Sequence, residues 1–278
     1  MSPRFGDSCV GGKVKGKDVG KIKVGVQLHP QHVSYAAYAE AVQKSESLGV
    51  DSIWNWDHFF PLYGDGNNNH FEGWTLLTAI AMLTSRVEIG TLVTCNSYRN
   101  PALLTQMANT VDHISGGRLI LGMGAGWFEK DYERFGYEFG TAGSRLRDLG
   151  EALPIIKARM SQELPPPVRN PIPIMIGGGG EKVTLKLTAQ HADLWNGFGP
   201  PDVYAHKCGV LDNWCAELGR DPGEIERTVS IVASEELEAN LDAYAEAGCT
   251  HFIMMSPVPT DTERIKTLVA WRDQALSF

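Results

Sequence analysis

No stretch of this sequence approaches the roughly 20 consecutive apolar residues that a helix needs to cross a bilayer, so no membrane partner is expected. Cysteine is sparse: Cys9, Cys95, Cys208, Cys215 and Cys249 are scattered, odd in number, and form no C-x-x-C pair. That pattern excludes a disulfide framework and a thiolate zinc site and predicts free thiols in a reducing cytoplasm. Positive charge is also short. Lysine and arginine total 25 against 33 acidic residues, a net charge of −8, so the chain is not a nucleic-acid binder. There is no G-x-S-x-G elbow and no cysteine beside an obvious base, which leaves covalent hydrolase chemistry unsupported. What is present is apolar content of 43%, ample for the core of one large domain. No break in composition demands a second domain. Residues 1–20, with Arg4, Lys13, Lys15 and Lys17 against Asp7 and Asp18, lack an apolar signal core and read as a mobile polar leader. Residues 21–278 then read as a single domain.

Two patterns alternate from there on. β-type runs occupy Lys21–Leu28, Ser52–His58, Val87–Cys95, Arg118–Trp127, Pro173–Gly180, Leu194–Gly199, Thr228–Ser234 and His251–Pro257. Helical spacing fills Tyr35–Leu48, Trp74–Thr84, Pro101–His113, Ser144–Met160, Lys182–His191, Pro201–Leu218, Glu235–Ala247 and Glu263–Leu276. Phe128–Gly143 reads as a polar, aromatic loop. Leu164–Pro171, LPPPVRNP, continues neither helix nor central strand and reads as a rigid connector. Nearly continuous apolar strands covered by helices indicate a parallel sheet. Eight such units fit a (β/α)8 TIM barrel, with a doubly wound sheet as the alternative. In either fold, functional groups collect just after the carboxyl ends of the strands.

The second run, SIWNWDH, ends in adjacent Asp57 and His58. His58 is the side chain best able to move a proton near neutral pH, although a hydrogen-bonded loop histidine explains it equally well. His29 and His32 are split by Pro30, which spoils a metal-ligand alignment, so no metal is expected. After the third run, Thr94, Asn96 and Tyr98 suit either a planar ligand's edge or plain turn chemistry, and Tyr98 can donate a proton or stack. Gly122, Gly124 and Gly126 alternate in the fourth run, as if something flat approaches closely. Gly177, Gly178, Gly179 and Gly180 stand between a strand and a helix, where exposed N–H groups bind phosphate. Lys182 adds charge there and Glu181 opposes it.

Four stretches taken together resemble the bacterial luciferase-like superfamily, in particular its coenzyme F420 (deazaflavin)-dependent oxidoreductases. They are WNWDHF (Trp54–Phe59), EIGTLVTCNSYRNPALL (Glu88–Leu104), SGGRLILGMGAGWFEKDYERFG (Ser115–Gly136) and IPIMIGGGGEKVTLKLTAQHADLWN (Ile172–Asn196). The resemblance runs in order from about Lys23 to Arg272. It implies a (β/α)8 barrel with a shortened insertion at Met160–Ile172 and a tricyclic ring at the carboxyl rim. His58 falls on the family's acid–base histidine and Asp57 on its cofactor-contacting neighbour. Leu92 and Val93 fall on a frequent non-prolyl cis peptide that supports the ring, and Gly177–Gly179 on the phosphate turn. Trp127 is expected with Gly124 and Gly126 among the cofactor contacts, at a position where some deazaflavin dehydrogenases carry a glutamate, and no cation set matches the sugar-phosphate branch. The resemblance therefore implies hydride transfer between the deazaflavin and a small, mostly apolar organic substrate, with His58 as proton donor or acceptor and Tyr98 as a secondary donor. The acidic cofactor tail would want rim cations, for which Lys182, Lys186, Arg145 and Arg147 are available. An FMN-dependent monooxygenase on the same barrel and a non-catalytic flavin-binding barrel are the alternatives. A homodimer is the default assembly.

Overall fold

In the computed structural model, the described residues are 22–232 and 235–275, with the side chains of 235–239 left aside. The polar leader, the first residue of the Lys21 run, Ala233–Ser234 and Leu276 lie outside them.

Among the described residues, nine strand segments form one sheet: β1 (Lys23–Leu28), β2 (Ser52–Asn55), β3 (Glu88–Thr91), β4 (Thr94–Cys95), β5 (Leu121–Gly124), β6 (Ile174–Gly177), β7 (Leu194–Gly197), β8 (Glu226–Val232) and β9 (His251–Ser256). Their order is β3-β2-β1-β9-β8-β7-β6-β5-β4, and every ladder is parallel. A parallel bridge from Ile89 to Leu119 joins the two ends, so the sheet closes. The third run is thus one barrel strand broken into β3 and β4. At the break, Leu92 and Val93 bulge out of the ladder and the peptide bond between them is cis. This is the eight-unit barrel expected from the sequence, with its third strand interrupted.

The helices α1 (Tyr35–Ser47), α2 (Gly73–Leu83), α3 (Pro101–Ser115), α4 (Glu129–Phe135), α5 (Ala142–Met160), α6 (Thr184–His191), α7 (Pro201–Leu218), α8 (Glu235–Glu246) and α9 (Thr262–Ala275) alternate with the strands. Local chemistry sets their ends. Asn100 caps α3 by accepting from the Ala102 and Leu103 N–H groups, Pro101 takes the first position, and Gly116 closes the helix in the left-handed conformation. Two expectations need correcting. The Phe128–Gly143 stretch is not all loop: it contains α4, too short for periodicity to reveal. And Ser144 does not cap α5. Thr141 does, and Ser144 completes the reciprocal capping box at the third helical position.

Most of the core lies between barrel and helices. A second, smaller cluster fills the barrel itself: Trp54, Leu92, Ile120, Met175, Leu194 and Ile253, with Val93 packed on it. Beneath it, at the amino-terminal floor, runs a polar chain. The Trp54 indole N–H donates to Ser52 Oγ at 2.7 Å. Ser52 Oγ lies 2.7 Å from His251 Nε2, and His251 Nδ1 lies 2.9 Å from Glu226. Lys23 bridges Glu226 to Glu88, and Arg169 meets Glu88. Ser52 and His251 are fully buried. Gly25 makes room for them, since a Cβ there would stand 2.1 Å from Ser52 Oγ.

Candidate active site

At the opposite, carboxyl end, His58 leaves β2 and its Nδ1 lies 2.7 Å from Asp131 Oδ2. Asp131 is fully buried on the first turn of α4. It also accepts the Phe59 N–H at 3.1 Å and the Tyr98 hydroxyl at 3.0 Å. Three donors around one buried carboxylate satisfy it and fix the imidazole orientation. With Nδ1–H committed to Asp131, Nε2 is the atom left for chemistry. It makes no hydrogen bond to protein among the described residues and is not sealed from solvent.

Asp131 was invisible in the sequence because the short α4 looked like loop. Asp57, which the resemblance makes a cofactor contact, is engaged by other protein groups. It is buried, accepts the Cys95 N–H at 3.0 Å, and takes both arms of Arg99 at 2.6 and 2.9 Å. Arg99 also reaches Glu72, the N-cap of α2, at 2.6 Å. Burial raises the Asp57 carboxyl above its ordinary range, against the pull of Arg99 and the Cys95 N–H. Asp57 therefore ties β2 to β4 and is neither His58's partner nor open to a ligand. Tyr98 is corrected too. Its hydroxyl is engaged by Asp131, the residue is buried, and burial pushes the phenol far above its usual value. It positions Asp131; it is not a ready proton donor.

The bulge is held from the first strand, because Gln27 Nε2 donates to the Leu92 carbonyl at 2.6 Å. Val93 then fills the barrel mouth. A Cβ on Gly124 would stand 2.5 Å from Val93 Cγ2, and one on Gly177 2.9 Å from Val93 Cγ1. A Cβ on Gly122 would meet the Thr91 carbonyl at 2.1 Å. The close approach at the alternating glycines is thus made by the protein itself: the Thr91 carbonyl at Gly122 and the Val93 bulge at Gly124. Gly126 lies beyond β5, with φ of 83°, under the Tyr132 hydroxyl and Cys95 Sγ. Thr94 is buried and hydrogen-bonds Thr91, while Asn96 is buried at the start of the turn into α3.

The glycine turn lies between β6 and α6. The Gly178 N–H donates to the Asn196 carbonyl at 3.1 Å. The N–H groups of Gly179 and Gly180 have no protein acceptor among the described residues. A Cβ on Gly179 would meet only Lys207 Cε, at 3.8 Å. Two free N–H groups in an uncrowded turn before α6 fit a phosphate. Glu181 does not spoil this, because Lys207 pairs with it at 2.5 Å and His206 hydrogen-bonds it at 3.1 Å. The basic groups beside the turn come from α7 rather than from the residues expected. Arg145 is buried, donates to the Gly126 and Phe139 carbonyls and lies over the Phe139 ring. Lys186 lies over Trp214. Lys182 and Arg147 are exposed.

Rings wall the space about His58. Trp127, Phe128 and Trp56 meet it edge-on at 5.7, 5.5 and 6.3 Å. Trp56 is stacked on His29 at 4.4 Å, and its N–H donates to His70 at 2.8 Å. Burial lowers both histidines to about 4.

The closed parallel barrel gathers the His58–Asp131 pair and an open glycine turn on its carboxyl rim, where barrels of this class bind their ligands. Comparison with known proteins makes this specific: the chain belongs to the luciferase-like monooxygenase family, whose profile matches residues 20–267. It is 30% identical over 234 residues to the F420-dependent glucose-6-phosphate dehydrogenase of Kineococcus radiotolerans, covering 77% of this chain and 68% of that protein. The protein of the same description from Amycolatopsis mediterranei is 32% identical over 139 residues, a match spanning 49% of this chain and only 41% of that one. Among solved structures, an F420-dependent secondary alcohol dehydrogenase in complex with an F420-acetone adduct shares the fold, with a TM-score of 0.77, 20% identity, and coverage of 89% of this chain and 97% of that one.

Proposed function

We propose that this protein is a coenzyme F420-dependent oxidoreductase that interconverts a small organic alcohol and its carbonyl, with His58 carrying the proton. The observation that carries the reading is the His58–Asp131 pair at 2.7 Å, with Nε2 open at the barrel mouth. The relatives named for F420 support the choice of cofactor. The free N–H groups of Gly179 and Gly180 would hold its phosphate, and the Leu92–Val93 bulge would back its ring. Bound there, a deazaflavin supplies or accepts a hydride. The rest falls to the protein. In oxidation, His58 Nε2 takes the hydroxyl proton as the substrate C–H bond gives up its hydride and the C=O bond forms. In reduction, the same atom returns the proton to the carbonyl oxygen. Asp131 keeps the imidazole in the Nδ1–H tautomer and stabilises the imidazolium, as an orienting carboxylate does in other histidine bases. Trp127, Phe128 and Trp56 exclude water from that oxygen.

The homodimer reading is supported by α2, which contains no charged residue and leaves Met82 72% exposed; sedimentation equilibrium tests it. The deciding functional experiment is parallel fluorescence titration with coenzyme F420 and FMN, followed by turnover of the His58→Ala variant. Tight FMN binding without F420 binding would favour a monooxygenase. Unchanged turnover in the variant would remove His58 from the mechanism.

A further inference from the structure

The walls of the chamber over His58 carry information about what enters it. Trp127 is 63% exposed, a large ring at the mouth whose ring contacts among the described residues are Phe128 and the His58 edge. An indole face left open next to the proton-carrying atom is an apolar platform for a ligand.

Charge points the same way. A phosphate monoester is held by converging Arg or Lys groups whose charge is still free. On the segments that build this chamber, the cations are engaged. Arg99 is shared between Asp57 and Glu72. Lys130 donates to the Gly66 carbonyl at 2.6 Å and lies over the Phe60 ring. Arg145 is turned to the Gly126 and Phe139 carbonyls. The loop from Trp56 to Glu72 contains no lysine or arginine, and it contributes Asp57, Asp65 and Glu72. Arg134, the remaining arginine of α4, is exposed to bulk solvent. A dianionic, hydroxyl-rich substrate would meet rings here, with Arg99, Lys130 and Arg145 already engaged, and would lose its hydration without replacement.

We infer that the ring-walled space about His58 takes an uncharged apolar ketone or secondary alcohol, and that Trp127 is the residue that sets this preference. The inference rests on the F420 and His58 reading above and deepens it. It separates this chain from the relatives named for glucose 6-phosphate, while keeping the alcohol–carbonyl couple. Trp127 acts here as a binding surface and moves no proton.

The test uses cyclohexanone and glucose 6-phosphate as probes. Calorimetric titrations are run on the F420-loaded protein, after F420 binding has been measured by its own fluorescence, and again on the cofactor-free protein. Cyclohexanone is expected to bind saturably and glucose 6-phosphate to give no binding at the same concentrations. Trp127→Ala should raise the cyclohexanone Kd by about tenfold or more, the scale of a lost apolar contact in a pocket. Its F420 Kd should stay within about threefold, and Trp127→Phe should recover most of the ketone affinity. In turnover of cyclohexanol, the alanine variant should raise KM more than it lowers kcat. The inference is overturned if glucose 6-phosphate binds as tightly as cyclohexanone, if cyclohexanone does not bind, or if Trp127→Ala leaves its Kd unchanged. Failure of the wild type to bind F420 would sink the cofactor reading instead, and the cofactor-free titrations would still decide the role of Trp127.

Discussion

His58 Nδ1 and Asp131 Oδ2 lie 2.7 Å apart although 73 positions separate the two residues. Their meeting depends on two carboxyl-end loops converging at the barrel mouth, and it gives the imidazole a fixed tautomer. Asp131→Asn keeps the shape and removes the carboxylate. Turnover should fall by about 10²-fold or more, within the range for a misdirected general base. F420 affinity should change little. Steady-state kinetics with a parallel fluorescence titration checks both, and a variant with near-wild-type kcat would deny Asp131 its role.

The pairing of Asp57 with Arg99 makes a different prediction. Asp57 is sealed and has one cationic partner, so Arg99→Met strands a buried carboxylate. Breaking such a pair costs about 3–5 kcal/mol. Urea denaturation should show a loss of that order. A large fall in cofactor affinity at unchanged stability would instead return Asp57 to the ligand site.

Glycine positions divide by what surrounds them. Gly122→Ala places a Cβ 2.1 Å from the Thr91 backbone carbonyl, where nothing flexible can yield. Its yield of folded protein should collapse. Gly179→Ala meets only a lysine methylene at 3.8 Å and should fold normally. If the Gly179 turn holds phosphate, that same variant should weaken F420 binding by about tenfold while its melting temperature stays within a few degrees. Equal behaviour of the two variants would contradict this division.

His29 and His70 both have folded-state values lowered to about 4 from 6.5, chiefly by burial. The unfolded chain therefore binds more protons than the folded one between those values. Stability is fully present above pH 6.5 and is lost as pH falls toward 4. The loss should be on the order of 1–3 kcal/mol per histidine. Denaturation curves across that range should shallow for His29→Gln, which cannot take up the proton. An unchanged slope would exclude His29 as a contributor.

The strand–helix rhythm is legible because the barrel strands are short, mostly buried runs and several helices end on a left-handed glycine, as at Gly116 and Gly219. The glycine turn was legible because only a tight, open turn uses four glycines in a row. The wiring of the site was not. Asp131 lies on a helix of two turns, below the length at which periodicity speaks. Asp57 and Tyr98 have the right chemistry for catalysis, but their partners Arg99 and Asp131 come from distant segments, and sequence shows no such pairing. The break between β3 and β4 leaves a continuous apolar run in sequence, since the bulged Leu92 and Val93 are as apolar as their neighbours. Gln27, which holds that bulge, looks like an ordinary strand residue.

The floor of the barrel holds a serine, an imidazole and a carboxylate in hydrogen-bonded series: Ser52, His251 and Glu226. Those three groups, in that order, are the working parts of a covalent hydrolase. Here the hydroxyl is sealed under an indole and the imidazole never meets solvent. A catalogue that recognised enzymes by side-chain distances alone would file this protein with the esterases and direct the chemist to its blind end. Which of two similar constellations can meet a ligand is decided by the doorway: His58 has one, and His251 has none.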